Sequence, residues 1–137
     1  MTSCPASPGQ MRVMSHKKQG DLGVAAAIAH YMNQGYVVCF PLTDTARYDL
    51  VVDKNGKLYR VEIKTTNYQL PSGNYEVTLR TKGGNTSWNG LVKTISSTDC
   101  DIVFASSPDG NYEFPASVVA GMATITLGSK QVQYKLG

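Results

Sequence analysis

Tyr48-Asp49-Leu50-Val51-Val52-Asp53 and Leu58-Tyr59-Arg60-Val61-Glu62-Ile63-Lys64 are two β-prone runs joined by Lys54-Asn55-Gly56-Lys57. Asn-Gly readily takes the left-handed backbone conformations of a tight hairpin turn, so the runs are predicted to lie side by side as strands. Alternate side chains of a strand share a face. Glu62 and Lys64 therefore project together, and Val61 and Ile63 turn the other way into apolar packing. Counting back across the turn puts Asp49 towards the start of the first strand, at the same sheet end as Lys64. Three charged side chains are expected to converge, and two readings compete for them. Two carboxylates bind a hard cation such as Mg²⁺ through oxygen, and an adjacent ammonium can position a water or stabilise a phosphodiester under attack. The alternative is a surface hairpin with a solvated Glu-Lys pair, worth less than about 1 kcal/mol. Spacing alone does not separate them.

Working outward, Leu22, Ala26, Ile28, Ala29 and Met32 fall close to one helical face from Gln19 onward. Gly35 suits the left-handed residue after the helix, giving about four turns, with Asp21 in or next to the first. Tyr36 to Phe40 reads as a strand, as do Tyr75 to Thr81, Asp101 to Ser106 and Ala123 to Leu127. Lys82 to Gly90, rich in glycine and asparagine, reads as a loop. A helical turn is expected around Ala116 to Ala120, and a turn at Gly128-Ser129 into a last strand ending near Tyr134. Residues 1–16 carry no hydrophobic period and read as a flexible arm; residues 17–137 form one domain. A helix followed by strands and mixed elements predicts an α/β or α+β domain, a central mixed sheet covered by helices.

Composition narrows the partners. Hydrophobic residues at 42% and charged residues at 17% indicate a chain that builds a core rather than a disordered one. The longest uncharged apolar stretch, Leu22 to Tyr31, is too short to span a bilayer, and no secretory leader is visible, so a cytoplasmic protein without membrane contact is expected. Cys4, Cys39 and Cys100 are widely spaced, which favours reduced thiols over disulfides or a zinc site. No GxxxxGK[ST] loop exists, so no nucleotide cofactor is expected. The net charge of +3 permits a polyanionic partner. Arg80, Lys82 and Lys93 lie in a stretch free of carboxylates, and Lys17 and Lys18 form a second basic point. Trp88, with Asn85 and Asn89, could stack on a base and bond base edges, or the tryptophan could fold back onto the core. Thr65 and Thr66 could bond phosphate or simply serve as strand residues. His16 and His30 are read as surface or packing residues.

Lys17-Lys18-Gln19-Gly20-Asp21-Leu22-Gly23, Gly35-Tyr36-Val37-Val38, Pro41-Leu42-Thr43, Tyr48 to Asp53 and Gly56 to Lys64 together resemble the PD-(D/E)XK nuclease superfamily, in particular a small group related to intron-encoded homing endonucleases and archaeal Holliday-junction resolvases. The resemblance covers residues 17–66, and continues more loosely through Asp101 to Phe104 and Tyr112 to Pro115. It implies a restriction-endonuclease-like fold, with Asp49, Glu62 and the backbone carbonyl of Ile63 as metal ligands and Lys64 beside the attacking water. Tyr48 stands where the superfamily's name has proline. Val24 stands where related nucleases often carry a helix glutamate, for which Asp21 could substitute through a water. The expectation is a Mg²⁺-dependent DNA endonuclease, with Mn²⁺ as substitute, acting as a homodimer in homing-type or other site-directed double-strand cleavage. Resolution of branched DNA is the close alternative, and Val24 keeps open a catalytically inactive DNA-binding module.

Overall fold

The computed structural model describes residues 15–82 and 92–137. The greater part of the expected arm and the loop residues Asn85, Trp88 and Asn89 lie outside the described residues. The first helix, α1 (His16–Asn33), begins earlier than Gln19 because Ser15 caps it: its Oγ accepts the Lys18 N–H at 3.3 Å. Lys17 and Lys18 are thus exposed residues of the first turn. Asp21 lies beyond that turn, which contains no acid. The helix stops as expected, at Gly35 with φ +83°.

The buried face of α1 differs from the predicted stripe. Gly23, Ala27 and Tyr31 are buried, whereas Leu22 and Met32 are 55% and 62% exposed and Ala29 points to solvent. Small residues win because α1 lies close on the sheet: a Cβ at Gly23 would overlap the Thr65 Cγ2 methyl.

The sheet has five strands. β1 (Val37–Cys39), β2 (Leu50–Lys54) and β3 (Lys57–Thr65) are successive antiparallel neighbours. The β2–β3 turn is the predicted Asn-Gly one, with Asn55 at φ 57° and Gly56 at φ 94°. β4 (Tyr75–Thr78), β5 (Thr81–Lys82) and β6 (Val92–Lys93) follow. β7 (Ile102–Ser107) returns to pair parallel with β3, and β8 (Gly110–Pro115) closes the far edge, giving the order β1-β2-β3-β7-β8. A short helix, α2 (Ala116–Val119), leads to β9 (Thr124–Leu127), which pairs with β4.

Alternation along β3 and β7 divides the interior into two cores. On one face Leu50, Val52, Val61, Ile102 and Phe104 meet Ala27 and Tyr31 of α1. On the other, Val103, Ala105, Tyr112 and Phe114 meet β4, β9 and α2 through Val77, Val119, Ile125 and Leu127. Burying each large side chain contributes about 1.5–3 kcal/mol. At the hairpin end of β2, Lys54 Nζ lies 5.2–5.6 Å from the rings of Tyr31, Tyr36 and Tyr59 and 3.6 Å from Glu113, which also accepts the Tyr31 hydroxyl at 2.8 Å. This cluster ties the C-terminal end of α1 to β2, β3 and β8 across one face of the sheet.

Two expectations are corrected, and one strand is new. The strand predicted from Tyr75 to Thr81 divides at Leu79, which is buried and donates its N–H to Ala123. β8 was not anticipated. The segment after Gly128 is a 3-10 helix (Ser129–Tyr134) rather than a last strand.

Candidate active site

Register places the site. Leu50 opposes Val61, so β3 continues past the start of β2, and residues 62–65 have no strand partner on that side. The Ile63 N–H, left over by this stagger, is taken by a side chain instead: Asp49 Oδ2 accepts it at 2.7 Å. Asp49 is held from its other end by its own N–H, which donates to Val61 at 2.9 Å. N–H and C=O of one strand residue leave on the same side, so the Ile63 carbonyl opens into the same notch as the Asp49 carboxylate.

Glu62 aligns with Val103 and Lys64 with Ala105, on the face of the second core. Lys64 Nζ lies 3.4 Å from Glu62 Oε1, and both side chains are only 14% exposed. The pair is not the solvated surface pair that spacing left open. Removing carboxylates from water raises their pKa unless positive charge is near. Burial, and then the charge of Asp49, push Glu62 up to about 7 against the pull of Lys64. Asp49 is also raised, chiefly by burial, although the Ile63 N–H and Lys64 oppose it. Beneath them the Cys100 thiol is pushed up to about 11 by burial and by Glu62 and Asp99.

The donor set fits a hard cation. Asp49 Oδ1 and Glu62 Oε2 make no hydrogen bond among the described residues, and one lysine faces two carboxylates. Carboxylate and carbonyl oxygens suit Mg²⁺ or Mn²⁺, which take one or two carboxylates and fill the remaining positions with water and phosphate oxygens. No group of three or more His, Cys, Asp or Glu side chains among the described residues is arranged to hold an ion alone. Val24 is half-buried and brings no metal-binding atom, and the side chain of exposed Asp21 makes no hydrogen bond or ion pair among the described residues.

The other predicted residues do not gather here. Thr65 turns its methyl towards Gly23, on the helix face opposite Lys64. Thr66 Oγ1 donates to the Glu76 backbone carbonyl at 2.6 Å and accepts from Tyr68 N–H at 3.0 Å, so its hydroxyl is used in joining β3 to β4. His30 packs its ring on Tyr31 and Phe104, as expected. Lys82 and exposed Lys93 belong to the β5–β6 ribbon, and exposed Arg80 immediately precedes it. No helix among the described residues is long and apolar enough to cross a membrane.

Two charged residues beside the site escaped the sequence reading. Asp99 lies close enough to Glu62 for its charge to help raise it, and it pairs with Arg47 at 3.7 Å. Ser96-Ser97-Thr98 signals a turn before Asp99, but only the parallel β3–β7 pairing brings that turn under Glu62.

The staggered sheet end thus brings together a lysine and two carboxylates, Glu62 mostly shielded with Lys64 and Asp49 open to solvent, and comparison identifies the class. The model of the PD-(D/E)XK endonuclease family matches residues 14–134, and the chain belongs to that family. Its fold is restriction-endonuclease-like, a mixed α+β domain around a five-stranded sheet. Among solved structures, the bacterial homing endonuclease I-Ssp6803I is similar with a TM-score of 0.75 at 27% identity, over 89% of each chain. No curated protein matches the sequence.

Proposed function

We propose that this nuclease is a Mg²⁺-dependent DNA endonuclease that makes site-directed double-strand cuts of the homing type. The observation that carries the reading is the 2.7 Å bond from Ile63 N–H, which holds Asp49 across the notch from the largely shielded Glu62–Lys64 pair. The likeness to a homing endonuclease supports the substrate and the mode of cleavage.

Asp49 and Glu62, with the Ile63 carbonyl, would hold Mg²⁺, or Mn²⁺ in its place. When bound, the cation supplies Lewis acidity, polarising a phosphate oxygen and making a nearby water more acidic. Lys64, fixed by Glu62 at 3.4 Å, directs its N–H donors at the attacking water and then at the oxygens of the trigonal-bipyramidal phosphorane, where negative charge builds. The water oxygen bonds to phosphorus and gives up a proton to solvent water, the opposite P–O bond breaks with its electron pair, and the leaving oxygen takes up a proton from solvent. Water is thus added across the P–O bond with no net change in protons. One such centre cuts one strand, so a double-strand cut requires two centres, most simply in a two-fold dimer.

Incubation of the protein with duplex, branched and single-stranded DNA, with and without Mg²⁺, tests the reading. Discrete duplex products that require Mg²⁺ are expected. Discrete cutting of branched DNA alone would replace double-strand cleavage by junction resolution, and no cutting of any substrate would overturn the reading.

A further inference from the structure

Arg47 stands two residues before Asp49 and is more than half exposed, at 56%. Its partner, Asp99, is held firmly. Ser96 Oγ accepts the Thr98 N–H at 3.2 Å and Ser96 O accepts the Asp99 N–H at 2.9 Å. Arg60, on the same face of β3 as Glu62, donates to the Thr98 carbonyl at 2.8 Å and forks onto Asp101 through Nη2 at 3.1 Å and Nε at 3.2 Å. The two arginines differ in commitment. Arg60 is fixed by several short bonds to side chain and backbone, whereas Arg47, among the described residues, touches Asp99 through one 3.7 Å contact. That contact lies beside the carboxylate pair: Arg47 precedes Asp49 by two residues, and Asp99 precedes by two the Asp101 whose N–H donates at 2.9 Å to the carbonyl of Arg60, the residue next but one to Glu62 on β3.

We infer that Arg47 is a substrate contact of this nuclease centre: its guanidinium rests on Asp99 in the free protein and transfers to a phosphate of the bound strand. The inference rests on the nuclease reading above. A guanidinium offers paired N–H donors that match two phosphate oxygens, a better acceptor geometry than a single long contact to one carboxylate oxygen. Exposure leaves it free to rotate, and an exposed ion pair gives it little reason to stay. Asp99 is then a positioning residue that competes with the nucleic acid for Arg47, and it keeps the guanidinium off Asp49 and Glu62 while the site is empty of substrate.

The competition predicts opposite signs for the two partners, which a merely structural ion pair does not. Binding of a linear, mixed-sequence plasmid fragment is measured in EDTA across a salt series, with cleavage of the same fragment measured separately in Mg²⁺. Arg47→Ala should weaken binding about tenfold and lower the slope of log affinity against log salt by about one. Arg47→Lys should recover part of the loss. Asp99→Asn should tighten binding roughly threefold. That gain should vanish in the Arg47→Ala/Asp99→Asn double variant, since it acts only through Arg47. Unchanged binding in Arg47→Ala, weakening by Asp99→Asn, or a gain that survives in the double variant would each overturn the inference. Absence of cleavage by the wild-type protein in Mg²⁺, with this binding order intact, would instead remove the nuclease reading and leave Arg47 a phosphate contact.

Discussion

Glu62 holds its proton in the fold up to about pH 7, although the same side chain in the unfolded chain gives its proton up near 4.5. Between those values the unfolded state binds fewer protons than the folded one, so stability falls as pH rises through the window. The raised Asp49 acts in the same direction. The shift of Glu62 corresponds to an effect on the order of 3 kcal/mol. The metal-free protein is therefore predicted to melt at a lower temperature at about pH 8 than at about pH 5. Mg²⁺ should restore much of the difference at the higher pH, because a cation compensates the ionised carboxylates. Glu62→Gln should flatten the profile and abolish the Mg²⁺ effect. Thermal denaturation at both pH values checks this, and a melting temperature that climbs through the window would contradict it. The shared face of Glu62 and Lys64 was legible, since alternation along a strand fixes it. Their burial was not, because it comes from β7 and the turn at Asp99, which are distant in sequence.

At the scale of elements, the Asn55-Gly56 turn and the strands beside it were readable because the turn chemistry is local. The seat of α1 was not. Hydrophobic periodicity favours Leu22 and Met32, yet close approach to β3 selects Gly23 and Ala27, a preference visible only once the neighbouring strand is known. Gly23→Ala illustrates the balance. Alanine gains up to about 1 kcal/mol of helix propensity, but its methyl would overlap that of Thr65, and the forced shift of α1 costs about 1–3 kcal/mol. A net loss of stability is expected in chemical denaturation, with Thr65→Ser recovering most of it because serine lacks the Cγ2 methyl. Equal loss in the single and double variants would place the strain elsewhere. The C-terminal segment misled for a related reason. Val132 and Tyr134 alternate with polar residues as in a strand, but β9 already has β4 as its partner, and the segment closes instead as a 3-10 helix whose end ties back through the Leu136 N–H to Asn111.

For the whole molecule, the family and the fold were legible from residues 17–66, because those residues contain the hairpin, the site and the helix end that define the class. The strand β7 was expected from Asp101 to Ser106, but its parallel pairing with β3, and β8, whose Tyr112 and Phe114 alternate like a strand but end at Pro115, became clear only from the assembled sheet. Double-strand cutting predicts a homodimer by light scattering in the presence of DNA; a strictly monomeric species that still breaks both strands would contradict that assembly. The central claim is that Asp49, Glu62 and Lys64 act together on one phosphate. The direct measurement is cleavage of plasmid DNA in Mg²⁺ by the wild-type protein beside Asp49→Ala, Glu62→Gln and Lys64→Ala, each checked for folding and DNA affinity. The account predicts that each variant stays folded, still binds DNA and loses cleavage by a factor on the order of 100 or more. Wild-type turnover in any one of the three would contradict it.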